Sequence, residues 1–379
     1  MGKQLRIWLF VLLSTLLTST ALLAEGVITM TTSKAVGEKI KLRVEANGNV
    51  TIEGARETSR EVGEFDRKSY RLTSQTITIR GDVTELDCSW NQLTSLDVSK
   101  NTALINLDCS ANGLTSLDVS KNTALKELDC AFSQLTSLDV SKNTALTELN
   151  CGMSELTSLD VSKNTSLTEL DCCTNRLTSL DVSKNTALTE LDCSCNRLTS
   201  LDVSKNTALT ELGCGWNSLT SLDLSQNTAL TELECPFNQL TSLDVSKNSA
   251  LTRLNCSANG LASLNLPKST ALTTLDCSFN QLTSLDVSKN TALTVLDCNG
   301  NKLTNLNLSG CARLEMLFCA SNYIKGKAMT KLVNSLPNRR KKSSGTLFIV
   351  NPSSEKRDKN KYSAADATTA RRKNWEVQK

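Results

Sequence analysis

Leucine recurs along most of this chain on two interleaved spacings. From Val83 to Ile324 the runs L-x-x-L-x-C and L-x-x-L-x-V return together every 21 residues, and residues 104–124, LINLDCSANGLTSLDVSKNTA, come back almost letter for letter. Within each run apolar and polar positions alternate with the period of an extended strand, and neither half has room for a regular helix. The pattern predicts a solenoid, mainly parallel β, with a short strand on both sides of each 21-residue coil. Narrow coils on both sides also predict a comparatively flat stack.

The inward rows follow from the alternation. Leu86, Leu107 and Leu128 pack with the cysteines on one wall, Leu96, Leu117 and Leu138 with Val98, Val119 and Val140 on the other, and Leu104, Leu125, Leu93 and Leu114 close the ends. Burying one leucine is worth roughly 1.5–3 kcal/mol, so stability accrues coil by coil and no coil stands alone. Asn91, Asn112 and their equivalents to Asn322 mark the turn after the cysteine strand, where a stacked amide supplies both donor and acceptor to neighbouring coils. Ser133 and Ser154 interrupt that row, and looser packing is expected there.

Outside the repeats, residues 25–82 read as a β-rich N-terminal cap, with strands at Lys39–Val44 and Thr76–Ile79. Residues 325–379 read as an α/β C-terminal cap: helix Lys327–Leu336, strand Thr346–Val350, helix Ala364–Lys373, strand Trp375–Val377. The run Arg339–Lys342 falls between the first helix and its strand and is expected to be a solvated, mobile loop. Residues 1–24 read as a secretory signal, with Lys3 and Arg6 ahead of an apolar stretch and small residues at Ser19, Ala21 and Ala24. Once it is cleaved, no transmembrane span is expected.

Composition changes this picture in three places. Fifteen cysteines in an exported chain suggest disulfides, yet the ladder spacing argues otherwise. Equivalent Cβ atoms in stacked parallel strands sit about 4.8 Å apart with parallel vectors, whereas a disulfide wants about 3.8 Å and convergent ones. The ladder, Cys88 to Cys319, should be free buried thiols acting as small hydrophobes. Cys173 and Cys195, just off the ladder in consecutive coils, keep a surface disulfide open as an alternative, and Cys311 replaces a turn asparagine in a local packing swap. With no histidine and no C-x-x-C pair, neither a metal centre nor a cofactor is expected, and no catalytic residue is assigned.

Charge is the second. Residues 83–324 carry 15 Lys/Arg against 26 Asp/Glu, and residues 325–379 carry 15 against 4, so a solenoid of net charge −11 ends in a cap of +11. The cap is a candidate for contact with an anionic polymer, and specific nucleic-acid recognition is not expected. The third is a column that varies where its neighbours repeat, two residues after each ladder cysteine. It holds Met153 together with Trp90, Phe132, Trp216, Phe237 and Phe279, which are five of the seven aromatics between Val83 and Ile324. Large exposed rings are the residues most often used as interface anchors, although stacking along the turn would also account for them. Glu211 and Glu232 belong to an acidic row bordering the column, a face suited to a basic partner or to weakly held cations such as Ca²⁺ if it is more than a solvated surface.

The unit L-T-x-L-D-C-S-x-N-x-L-T-S-L-D-V-S-K-N-T-A resembles the cysteine-ladder leucine-rich repeats of internalin J type and of related surface proteins of Bacteroidetes. The resemblance covers residues 83–324 and implies export, display at the cell surface or secretion (with the periplasm as the alternative), and binding of a protein or glycan partner on the sheet face. The helical N-terminal cap, immunoglobulin-like segment and sorting signal usual in Gram-positive internalins are not visible, so host-cell invasion is not implied. The competing expectation is a structural coat or spacer without a specific ligand.

Overall fold

The computed structural model describes residues 26–58, 67–350 and 358–378, so the signal-like residues 1–24 lie outside the described residues. These residues form two compact units, one ending at Leu125 and one beginning at Lys126.

In the first unit the N-terminal residues cap the opening coil by antiparallel pairing on both of its sides. Val27–Thr32 pairs with Thr76–Arg80 and with Leu93–Asp97, while Lys39–Ala46 pairs with Lys68–Leu72 and with Val83–Asp87. An unpaired strand edge is a template for aggregation, and this arrangement closes it. Ile28, Met30, Ile40, Leu42, Ile77 and Ile79 are fully buried beneath. Val83–Asp87 then pairs in parallel with Asn106–Asp108, which sets the register Leu86 to Leu107.

The second unit is a parallel β-solenoid. Three-residue strands pair coil on coil from Glu127–Asp129 to Met316–Phe318, always with a shift of 21 residues. The cysteine-side leucines, the closing leucines and every ladder cysteine are buried, as the alternation requires. All fifteen cysteines are free thiols, with Cys195 exposed and Cys173 half-buried. Desolvation first, and then nearby carboxylates or thiols, push the ladder thiols upward, with Cys235 reaching about 12.

On the opposite side extended segments run through every coil, but in the second unit paired strands occur, among the described residues, at Ser242–Asp244 with Ser263–Asn265. Elsewhere one backbone bond per coil, such as Arg197 N–H to the Leu177 carbonyl, is supplemented by a buried amide. Asn206 Nδ2 donates to the carbonyls of Val182 and Asn185, and Asn164, Asn185, Asn227 and Asn248 repeat the pattern. These asparagines of the S-K-N-T turn form a second amide ladder, fully buried. They take over the carbonyls that strand pairing would otherwise satisfy.

The first amide ladder is as expected: Asn196 Nδ2 donates to the carbonyls of Cys172 and Cys193, and its Oδ1 accepts from Leu177 N–H. The hydroxyls of Ser133 and Ser154 are buried without a partner. Cys311 stands where Asn290 stands one coil earlier, its N–H bonding Leu308 and its thiol reaching the Val287 carbonyl at 3.6 Å.

The C-terminal cap prolongs the sheet with longer α/β coils. Helix Lys327–Ser335 precedes strand Gly345–Phe348, which pairs in parallel with Met316–Phe318 and with the last strand, Trp375–Gln378. Between these two strands, helix Ala364–Arg372 starts with a capping box of Ser363 and Asp366. Asn360 extends the first amide ladder into the cap, bonding Ile324 N–H and the carbonyls of Cys319 and Ile349. Gly345 is required by packing, since a Cβ there would lie 2.7 Å from the buried Trp375 ring.

The expectation of a solvated loop at Arg339–Lys342 is corrected for its first residue. Arg339 is buried, donating to the carbonyls of Leu314 and Ser343 and pairing with Glu315. Those carbonyls would otherwise lack donors where the coil widens, and a guanidinium with five N–H groups reaches them from one position.

Candidate partner-binding face

Each residue of the variable column occupies left-handed backbone, with φ between 50° and 57° at its twelve positions apart from Gly300, at 62°. That region costs an ordinary side chain roughly 1 kcal/mol and is used without strain mainly by glycine and asparagine. The cost is carried by the coil, because column N–H groups donate to a carbonyl in the next one, as Trp216 to Pro236, Phe237 to Ser257 and Phe279 to Asn299, while Ser321 N–H donates to the Asp358 carboxylate. The turn throws the side chain outward. Trp90, Phe132, Met153, Trp216, Phe237 and Phe279 are all exposed, Trp90 at 68% and Trp216 at 55%.

The structure brings two of these together as a stacked pair. The rings of Trp216 and Phe237 lie 3.8 Å apart between centroids with planes 16° from parallel. Phe279 lies instead over Gly300, whose missing Cβ would meet the ring at 2.9 Å, and lines a separate hollow of about 240 Å³ with Phe318 and Phe348. Phe318 and Phe348 stack at 4.9 Å. Neither was singled out in the sequence, because they stand one residue before the ladder position, where earlier coils carry aspartate.

Glu211 and Glu232 are in register on neighbouring strands, continuing Glu148, Glu169 and Glu190. Two residues further along each strand a second outward row runs Asp171, Asp192, Gly213, Glu234. Between these rows lies a shallow hollow of about 310 Å³. Gly213 creates part of it. Where the two preceding coils read E-L-D-C this one reads E-L-G-C, and a Cβ at Gly213 would sit 2.7 Å from the Asp192 carboxylate.

Adjacent carboxylates about 4.8 Å apart repel by roughly 1 kcal/mol in water and a few kcal/mol at the effective dielectric of a protein surface. Burial first, and then the neighbouring glutamates, hold Glu169 and Glu211 above the ordinary carboxylate range. Burial raises Asp192 too, against the bonds it accepts from Ser194. Arg253 closes the acidic stretch, reaching Glu232 at 3.3 Å and Glu234 at 2.8 Å. The Cys173 thiol lies within 4.8 Å of carboxylate oxygens of Asp171 and Asp192, and burial followed by Asp171 pushes it up to about 12, so it stays protonated.

The opposite side of the solenoid carries acid as well but in another state. Asp160, Asp181 and Asp202 each accept from the serine two residues on, with a lysine nearby, and are lowered. The uncompensated acid is therefore concentrated on the cysteine side.

A fold of stacked leucine coils bearing an in-register outer face defines a leucine-rich repeat protein, and the family model for leucine-rich repeats in two copies matches residues 270–310. Among solved structures the chain is similar to the functional domain of InlJ from Listeria monocytogenes, which includes a cysteine ladder, at 34% identity over 74% of this chain and 77% of that one, with a TM-score of 0.56. The internalin InlF of the same organism shares the fold at 19% identity, covering 78% of this chain and 86% of that one with a TM-score of 0.67. The leucine-rich repeat protein LIC12759 of Leptospira interrogans does so at 20% identity, covering 77% and 94% with a TM-score of 0.57. Among curated proteins none matches. The chain belongs to the internalin-type leucine-rich repeat proteins with a cysteine ladder, a kind of interaction module.

Proposed function

We propose that this protein is exported and displayed at the cell surface, or secreted, and binds a protein or glycan partner through the cysteine-side sheet face and the column beside it. The observation that carries the reading is the Trp216–Phe237 pair: two large rings stacked on each other yet about half exposed, held in a backbone conformation that neither side chain favours. A solenoid does not need rings there, since Ala111 and Ala258 occupy the same position with the same φ. Rings of this size in a partner interface supply most of its binding energy. Among the described residues no helix is long and apolar enough to cross a membrane.

The test is binding of the full chain to arrayed glycans and to arrayed surface-protein ectodomains, with the W216A/F237A variant in parallel. A partner whose affinity falls by about 2 kcal/mol or more in the variant, at unchanged melting temperature, supports the reading. If no probe distinguishes wild type from variant, the spacer reading takes its place.

A further inference from the structure

The hollow between the two acidic rows is open and lies on a paired sheet rather than a loop. Glu169, Glu190 and Glu211 have no lysine or arginine within ion-pair distance among the described residues, while the next coil shows what meets this need: the Arg253 guanidinium bridges Glu232 and Glu234. Trp216 follows Gly213 by three residues, so its ring rises from the same coil that opens the hollow. A guanidinium is planar, forks onto carboxylates and stacks on aromatic faces, whereas an ammonium is a point charge that uses only the first of these partners well.

We propose that the face formed by Glu169, Glu190, Glu211 and Asp192, with Trp216 and Phe237 three residues beyond Gly213 and Glu234 on the same coils, docks an extended arginine-bearing segment of a partner protein. The assignment rests on the reading of this side as the binding face and adds the chemistry of the partner. Charge complementarity selects the occupant. In-register carboxylates repel one another along the stack, and a row of guanidinium groups laid across the coils removes that repulsion while neutralising several of them at once. Burial first, and then the neighbouring glutamates, raise Glu169 and Glu211, in keeping with that repulsion. An apolar or anionic segment would leave these carboxylates desolvated and unpaired, which disfavours it strongly.

Fluorescence anisotropy of the full chain with short labelled all-arginine, all-lysine and all-glutamine peptides tests this at low and at physiological salt. Arginine peptide is expected to bind best, lysine peptide several-fold more weakly, and glutamine peptide not measurably. The E190Q/E211Q variant should weaken arginine binding by about tenfold. The D181N/D202N variant removes the same charge from the opposite side and should change it by about twofold or less. W216A/F237A should abolish the preference for arginine over lysine.

Equal losses in the two charge variants would mean attraction by the whole acidic solenoid and overturn the site. Self-association of the full chain, lost in E190Q/E211Q, would make the occupant a second copy and overturn the assignment to a partner protein. A partner lost in W216A/F237A but kept in E190Q/E211Q overturns the cationic chemistry and leaves the binding function standing. Peptide binding that needs the glutamates but ignores the rings overturns the ring pair as anchor and with it the broader reading.

Discussion

Arg339 reaches Glu315 at 3.1 Å from a side chain that is only 2% exposed, while its partner remains more than half in water. The pair joins the last cysteine coil to the C-terminal cap, and the same guanidinium holds the Leu314 carbonyl at 3.0 Å. Truncation would leave the buried Leu314 carbonyl without this donor and open a gap in the packed cap, so Arg339→Ala is expected to destabilise the second unit by about 2–4 kcal/mol. Replacing Arg340, Lys341 and Lys342 together by glutamine should leave the melting temperature unchanged and reduce retention on heparin, the expected contact of the cap with anionic polymers. Denaturant melts and salt elution of both variants separate the structural arginine from the surface charges. Equal stability of the two would refute the division.

The ladder thiols should resist alkylation in the native protein. Cys130, Cys172, Cys214 and Cys235 are fully buried, and burial pushes the last three thiols upward, whereas Cys195 is exposed. Mass spectrometry after native treatment with a maleimide is expected to find Cys195 modified and the ladder untouched until denaturant is added. Native labelling of Cys235 at the rate of Cys195 would contradict the packing described.

Asn185→Ala tests the second amide ladder. Its Nδ2 bonds the carbonyls of Val161 and Asn164 at 3.0 and 2.8 Å, both buried, and removal strands them. A loss of about 1–3 kcal/mol is expected, against a negligible change for Lys184→Ala on the adjacent exposed position.

Stability should rise as pH falls toward the acid side of neutrality. Burial raises Asp297 from an ordinary 3.8 to about 6, with bonding from Asn299 opposing and Asp276 adding. Between those values the folded chain holds a proton that the unfolded chain has released, so unfolding becomes less favourable as pH drops through 6 toward 4, and the contribution is unfavourable above it. Asp297→Asn is expected to raise the melting temperature at pH above 6 and to flatten its pH dependence across this window. An unchanged slope in the variant would assign the effect to other carboxylates, Asp192 and Glu169 among them.

The period, the inward leucines and the free-thiol ladder were legible in the sequence because each is a repeated local pattern with one packing solution. So were the two helices and both strands of the C-terminal cap, to within two residues at most of their ends. Arg339 was not, because its burial depends on a carbonyl that a charge run does not announce. The second amide ladder was hidden in S-K-N-T, where asparagine has an ample local explanation as a turn residue. The left-handed column was hidden for the opposite reason: Trp, Phe, Met and Thr are residues that no turn rule places there. Glycine at position 213 was the visible sign of the acidic hollow, the one coil in which the letter before the ladder cysteine has no side chain.

The left-handed column also sets how this surface is able to change over evolutionary time. At ten of the twelve positions one backbone bond to the next coil fixes that turn whatever side chain follows, and tryptophan, phenylalanine, methionine, threonine, cysteine, alanine and serine all stand there with φ between 50° and 57°. On the proposed function, recognition is thereby written in an alphabet that the core does not read. One codon altered in one coil edits a single letter of the outer text, and duplicating a coil adds a letter, while the buried rows that hold the stack together remain as they were.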